Sequence, residues 1–320
     1  MLKFIRHLFL FLAFAMLFYI VAVVLWAELD YRSFIRKNVW YELEEAGIDS
    51  LGNVNSYGHM FSRMKEVKTV HDVDILFVGG SQAYRGFDSR IFSAAGYKTF
   101  NMGSSNQTPL QTEILLERYL KSLNPHLVVY VVYPEVFSVD GVESSLDLLA
   151  NDKVDFSIAW LVLKQRNLKL FNTMLYAGYR ECFGLNKKLN ELYRKGDDTY
   201  VSGGYVEKDS VQYLAHKFNP DEWHFVADQF KAFERTLQMM RKKDIPFVLV
   251  QTPTVKPLRE AYPNNDVFDK MMQEYGPYYN FNKIIHLNDS LHFYDPFHMN
   301  QEGVELFDNA FIQQLLLHAE

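Results

Sequence analysis

Only one cysteine, Cys182, occurs in 320 residues, which excludes an intramolecular disulfide framework and any cysteine-based zinc cluster. Basic runs are scarce too: beyond Arg241–Lys243 none stands out, and the formal charge is −6. Neutralising phosphates requires a basic face, so a nucleic-acid partner is excluded. Phosphate-cradling glycine patterns are also missing. Gly79, Gly80 and Gly86 form neither a P-loop nor the Gly-x-Gly-x-x-Gly turn of dinucleotide folds, and no cofactor is expected. His71, Asp72 and Asp74 come nearest to a metal set, but alternating positions at the start of a strand point to opposite faces, and the group reads as solvated charge.

What is present is apolar. Hydrophobic residues make up 48% of the chain, ample for a packed core, and aromatic residues 16%. Aromatic content that high suits a carbohydrate-facing surface, although core filling is the plainer use. The run 8–27, "LFLFLAFAMLFYIVAVVLWA", carries no charge and at 1.5 Å per residue spans about 30 Å, the thickness of a bilayer's hydrocarbon layer. Lys3, Arg6 and His7 precede it, and Glu28 and Asp30 follow. The positive-inside bias therefore predicts a cytoplasmic N-terminus with the rest of the chain extracytoplasmic. The run is longer than a signal-peptide core and ends in "VVLWAELD" without a small-x-small site, so an uncleaved single-pass anchor at 1–27 is expected.

Residues 28–70 read as a charged, helical juxtamembrane stretch followed by a Gly/Asn-rich loop. From 71 to 320 apolar strands alternate with amphipathic helices. Strands are predicted at 73–80, 97–103, 126–137, 245–253 and 283–289. Helices are predicted at 88–95, 108–123, 220–243, 266–276 and 301–317. The unbroken "HLVVYVVYPEVF" suggests a strand covered on both faces, and the alternation gives a doubly wound, flavodoxin-like parallel α/β sheet. Residues 138–218, with mixed charges, no repeat and helix-like pieces such as "LNKKLNELYRK", read as an insertion.

"VGGSQAYRGFD" (78–88) turns tightly out of the first strand and presents Ser81. A serine hydroxyl needs an adjacent base, and that base needs a carboxylate to fix its tautomer. "YDPFHMNQEG" (294–303) offers Asp295 and His298 three residues apart, with a proline that favours a turn. Ligands of such sheets bind beyond the carboxyl ends of the strands, where all three residues are expected to meet. Oxyanion donors are expected from the N–H groups of Ser81 and Gly103, with Asn106 as a side-chain donor and Asn101 as a weaker candidate. Gln82 and Arg85 border the serine as possible substrate contacts, surface ion pairing being the plainer use of Arg85. "GGSQA" nearly fits a Gly-x-Ser-x-Gly elbow, but that fold places several strands before the elbow and too little chain precedes this one.

The Gly-Gly-Ser after the first strand, the Gly of "NMG" after the second, and the C-terminal Asp-Pro-Phe-His before a helix together resemble the SGNH/GDSL hydrolases. The resemblance covers 73–137 and 220–317. It implies that Ser81 is the nucleophile, Gly103 the oxyanion glycine of the second block, His298 the base and Asp295 its orienter. The family's third block, Gly-x-Asn-Asp, is replaced by "VVYPEVF", so its oxyanion asparagine is missing. The anchored form without that block is similar to the D-alanyl transfer protein of teichoic-acid D-alanylation and, more loosely, to alginate O-acetylation proteins. The expected activity is that of an extracytoplasmic serine esterase or O-acyltransferase on acetyl or related acyl groups of a cell-surface polysaccharide. Transfer implies an external acyl donor, for which a multi-spanning membrane acyltransferase is a candidate partner. The alternative is a non-catalytic glycan-binding or scaffolding module.

Overall fold

Four consecutive buried residues, Ile75–Val78, form the central strand, β1. Ile75 and Phe77 enter one hydrophobic core while Leu76 and Val78 enter another, as the period of two requires of a strand covered on both faces. In the computed structural model, which describes residues 2–28, 47–48, 53–209, 213–214 and 217–316, β1 is flanked by β2 (Thr99–Asn101) and β3 (Leu127–Val131). β4 (Phe247–Gln251) and β5 (Tyr278–Asn280) complete the sheet. Its order is β5-β4-β3-β1-β2 and every pairing is parallel, so the fold is the doubly wound α/β architecture expected from the sequence. The chain reverses its direction of growth at β1, making the crevice between the ends of β1 and β3 the switch point.

Helix α1 (Leu2–Glu28) contains the uncharged N-terminal run and is long and apolar enough to cross a membrane. The nucleophile candidate opens α2 (Ser81–Gly86). One face of the sheet is covered by α3 (Pro109–Leu123), α4 (Val142–Asn151), α5 (Phe156–Gln165), α6 (Leu168–Cys182), α7 (Ala227–Lys242) and α8 (Asn265–Tyr275). α3 starts at a full capping box, Thr108 with Gln111, and has proline in its first turn, which satisfies otherwise orphaned N–H groups. The other face carries Ser89–Ala94 and α9 (Gln301–Phe311). There Phe77, Phe87, Phe92, Phe307 and Phe311 pack edge to face or stacked, with Phe77 and Phe87 centroids 4.2 Å apart. Burying each such ring contributes roughly 2–3 kcal/mol, and this cluster fixes α9 and hence the loop before it.

Several expected boundaries are corrected. The strand expected at 126–137 ends at Val131, and Pro134–Phe137 is a 3-10 turn, since proline has no N–H to offer a ladder. The strand expected at 283–289 is absent. Residues Phe281–Ile284 are helical, and the edge strand lies earlier, at Tyr278–Asn280. The helix-like "LNKKLNELYRK" is a 3-10 turn at Leu185–Lys188 followed by strands Asn190–Glu191 and Arg194–Lys195. The insertion otherwise holds α4 to α6 and an antiparallel sheet of Arg194–Lys195, Asp198–Val201 and Tyr205–Lys208. The charged helix expected just after the anchor falls mostly outside the described residues.

Gly79 has φ +140°, and a Cβ there would sit 2.5 Å from the Val131 carbonyl oxygen. Only glycine lets the chain turn from β1 so close to β3. Gly79→Ala is expected to cost about 3 kcal/mol, read as a lower midpoint in urea unfolding with an unchanged m-value.

Candidate active site

Every residue expected at the site sits at the carboxyl edge of the sheet or in the loop before α9. The turn Gly79-Gly80 leaves β1 and hands the chain to α2, whose first residue is Ser81. Opposite it, the loop 292–300 folds back on itself. Tyr294 N–H donates to the His298 carbonyl at 3.2 Å, Phe293 bridges Met299, and Asn300 N–H donates to the His292 carbonyl. Val255 N–H, just beyond β4, donates to Pro296 O and ties this loop to the sheet edge. Asn300 then caps α9 by accepting from Gly303 N–H.

The three side chains form one chain of hydrogen bonds. Ser81 Oγ lies 2.7 Å from His298 Nε2, and His298 Nδ1 lies 2.7 Å from Asp295 Oδ2. Asp295 Oδ1 also accepts the N–H groups of Phe297 and His298, each at 2.8 Å. Burial opposes the charge on Asp295, but the hydrogen bond from His298 and these two N–H donors outweigh it and hold the carboxyl below its usual range. The carboxylate is therefore ionised at neutral pH, and its bond to Nδ1 fixes the tautomer that leaves Nε2 free to accept the serine proton. Tyr294 lies parallel to the imidazole at 5.6 Å between centroids, an aromatic wall that limits ring motion.

Gly103 is packed hard against α2: a Cβ would lie 2.8 Å from Ala83 Cβ and 3.0 Å from Gly80 O. Its N–H donates to Asn101 Oδ1 at 2.9 Å, while Asn101 Nδ2 donates to Ala83 O. Asn101 thus braces the serine helix, and in this state the Gly103 N–H is engaged. Asn106, at φ +46°, donates its amide to Glu143 at 3.1 Å, and Ser105 Oγ contacts the same carboxylate at 3.5 Å. The Ser81 N–H, at the start of a helix, has no intrahelical acceptor and is the donor left for a developing oxyanion. Gln82 Nε2 reaches Phe297 O at 3.4 Å, linking α2 to the histidine loop, and its Oε1 is buried with no partner among the described residues.

Arg85 makes a two-pronged pair with Asp198 of the inserted sheet, at 3.0 and 2.7 Å, and the pair is largely buried. Lys208 lies 3.4 Å from the same carboxylate and 5.7 Å from the Tyr294 ring centroid. The insertion is thereby pinned onto the helix that carries Ser81, a contact no local sequence signal announces. Burial opposes ionisation of Asp198, but Arg85 and Lys208 overcome it and depress its pKa. A depressed carboxyl stabilises the fold above its unfolded pKa of about 3.9 and loses that contribution as pH falls through the folded value. Asp198→Ala is expected to cost roughly 2 kcal/mol at pH 7, less than a fully buried pair because both ends are partly solvated. Thermal melts should show the gap between wild type and variant closing below about pH 3.9.

A second aromatic group continues from the loop. Phe297 meets Tyr133 edge to face at 6.1 Å, Tyr133 meets Trp223 at 5.7 Å, and Trp223 stacks on Tyr262 at 3.7 Å. Trp223 and Tyr262 are half-exposed. Neither residue carries a local sequence signal, because Trp223 lies far in the chain from both motifs and Tyr262 lies outside them.

No protein-family model matches the chain, and no curated protein matches it by sequence. Solved structures similar to it include a protein described as an acylhydrolase from Bacteroides fragilis NCTC 9343, 11% identical, covering 89% of this chain and 97% of that one with a TM-score of 0.36. A GDSL-like lipase from Bacteroides thetaiotaomicron VPI-5482 is 11% identical, covering 80% of this chain and 96% of its own, with a TM-score of 0.39. Likeness at this level says nothing about chemistry.

Proposed function

We propose that the chain is a membrane-anchored, extracytoplasmic serine esterase or O-acyltransferase of the SGNH type, acting on acetyl or related acyl groups of a cell-surface polysaccharide. The observation that carries this reading is the unbroken run from Asp295 through His298 to Ser81, with heavy-atom distances of 2.7 Å at both hydrogen bonds. Ser81 Oγ attacks the acyl carbonyl as His298 Nε2 takes its proton, and the Ser81 N–H receives the oxyanion. Collapse breaks the ester C–O bond, and His298 returns the proton to the departing oxygen. The acyl-enzyme then passes to water or to a sugar hydroxyl. Transfer calls for an acyl donor, for which a multi-spanning membrane acyltransferase is the fitting partner.

The aromatic series that runs from Phe297 of the histidine loop to the half-exposed Trp223 and Tyr262 supports a sugar ligand, since aromatic rings suit pyranose C–H groups. The engaged Gly103 N–H and Asn106 amide favour a second reading, a glycan-binding scaffold with a thin oxyanion hole. Acetate release from O-acetylated oligosaccharides and from p-nitrophenyl acetate by the full chain in detergent separates the two. The enzyme reading expects acetate release, or acetyl transfer to an added oligosaccharide acceptor, that Ser81→Ala removes; the scaffold reading expects neither from either form.

A further inference from the structure

Helix α5 is apolar on both sides. Ile158, Leu161 and Val162 are buried against the domain, while Phe156, Trp160 and Leu163, at i, i+4 and i+7, share the opposite face. Those three are 82%, 52% and 51% exposed. Leu168, at the start of α6, and Phe183, just past its end, are 67% and 71% exposed. A surface helix of a water-soluble domain has one polar face; α5 lacks it.

The contact of the neighbouring helix α6 with α1 indicates what covers it. Tyr19 Oη donates to Asn172 Oδ1 of α6 at 2.5 Å, and Tyr176 of α6 donates to Glu28 at 3.1 Å. Val23 and Ala27 are buried. Tyr19 lies eight residues before Ala27, so at 1.5 Å per residue α6 meets α1 about 12 Å inside the outer end of the apolar run, within the half-bilayer depth of about 15 Å. An element that touches a spanning helix there has entered the outer leaflet. The charge pattern agrees: residues 156–180 contain no acidic side chain, and their charges are Lys164, Arg166, Lys169 and Arg180. Lys164 Nζ lies 5.8 Å from the Trp160 ring centroid, so its apolar stem runs beside the aromatic while its head can reach lipid phosphates.

We propose that α5 and the start of α6 form a second membrane contact, with Phe156, Trp160, Leu163 and Leu168 set among the acyl chains of the outer leaflet and the Lys164 ammonium drawn towards the headgroups. This rests on α1 being an uncleaved membrane span. It gives the insertion a role: it holds the catalytic domain against the bilayer at a fixed angle instead of leaving it on a free tether.

Spin labels test both statements together. In a Cys182→Ser background, the full chain carrying Leu163→Cys, Leu12→Cys on α1, or Lys270→Cys on exposed α8 is reconstituted in vesicles of phosphatidylcholine with phosphatidylglycerol. Collision with apolar oxygen is compared with collision with a water-soluble nickel chelate. The oxygen-to-nickel ratio at Leu163 is expected to match that at Leu12 and to exceed that at Lys270 several-fold. A ratio at Leu163 equal to that at Lys270, with Leu12 still lipid-exposed, would overturn the second contact while leaving the anchor. Water exposure at Leu12 as well would remove both. Shielding of Leu163 from both reagents would mean that a protein covers this face, which also overturns the assignment to lipid.

Discussion

Ser81→Ala is expected to lower kcat for acyl release by about a thousand-fold or more while leaving the fold intact. The Oγ atom bonds to His298 Nε2 and to no other group among the described residues, so its loss removes the nucleophile without opening a buried network. Stability should change by less than about 0.5 kcal/mol, in line with a small substitution away from core and caps. A melt unchanged beside a rate reduced to background is the expected pair of results. Activity surviving in Ser81→Ala would show that acyl groups are cleaved elsewhere.

Asp295→Asn should be nearly as damaging, for a reason the geometry makes explicit. Asp295 Oδ1 accepts the N–H groups of Phe297 and His298, so an asparagine oxygen will occupy that position. Its amide NH2 then replaces Oδ2 and faces His298 Nδ1. An N–H donor there, at the nearer of the two carboxylate positions (2.7 Å against 2.9 Å for Oδ1), favours an accepting Nδ1 and shifts the imidazole proton to Nε2, the atom that must receive the serine proton. A loss of about 10⁴ in kcat is the expected size of a wrong-tautomer effect in a triad of this kind. KM should move far less, because neither side chain needs to touch the substrate beyond its acyl group. A fall in kcat of less than about tenfold would mean that Asp295 does not set the tautomer.

The candidate reacting groups were more legible in the sequence than their surroundings. Ser81 was legible because two glycines end an apolar strand beside it, and His298 with Asp295 because the turn joining them is local. Donor availability was not legible: whether the Gly103 N–H is free depends on where the side chain of Asn101 points, and spacing holds no trace of that. The last strand was misplaced for a similar reason. Ile285 and Leu287 alternate like strand residues, yet they pack into the core from an extended segment without a ladder. Tyr278, whose hydroxyl reaches Gln251 and Asp269, belongs to the true edge strand and gives a weak apolar signal. The pairing of Arg85 with Asp198 spans 113 residues and crosses into an insertion with no repeat, where local patterns have no reach.

The central claim is that the hydroxyl of Ser81 is a nucleophile activated through His298. Reaction of the full chain with a fluorophosphonate, followed by intact mass and peptide mapping, tests it most directly. One covalent adduct on Ser81 is expected, absent in Ser81→Ala and much slower to form in His298→Ala. An unmodified wild-type chain, or an adduct on any other residue, would contradict it.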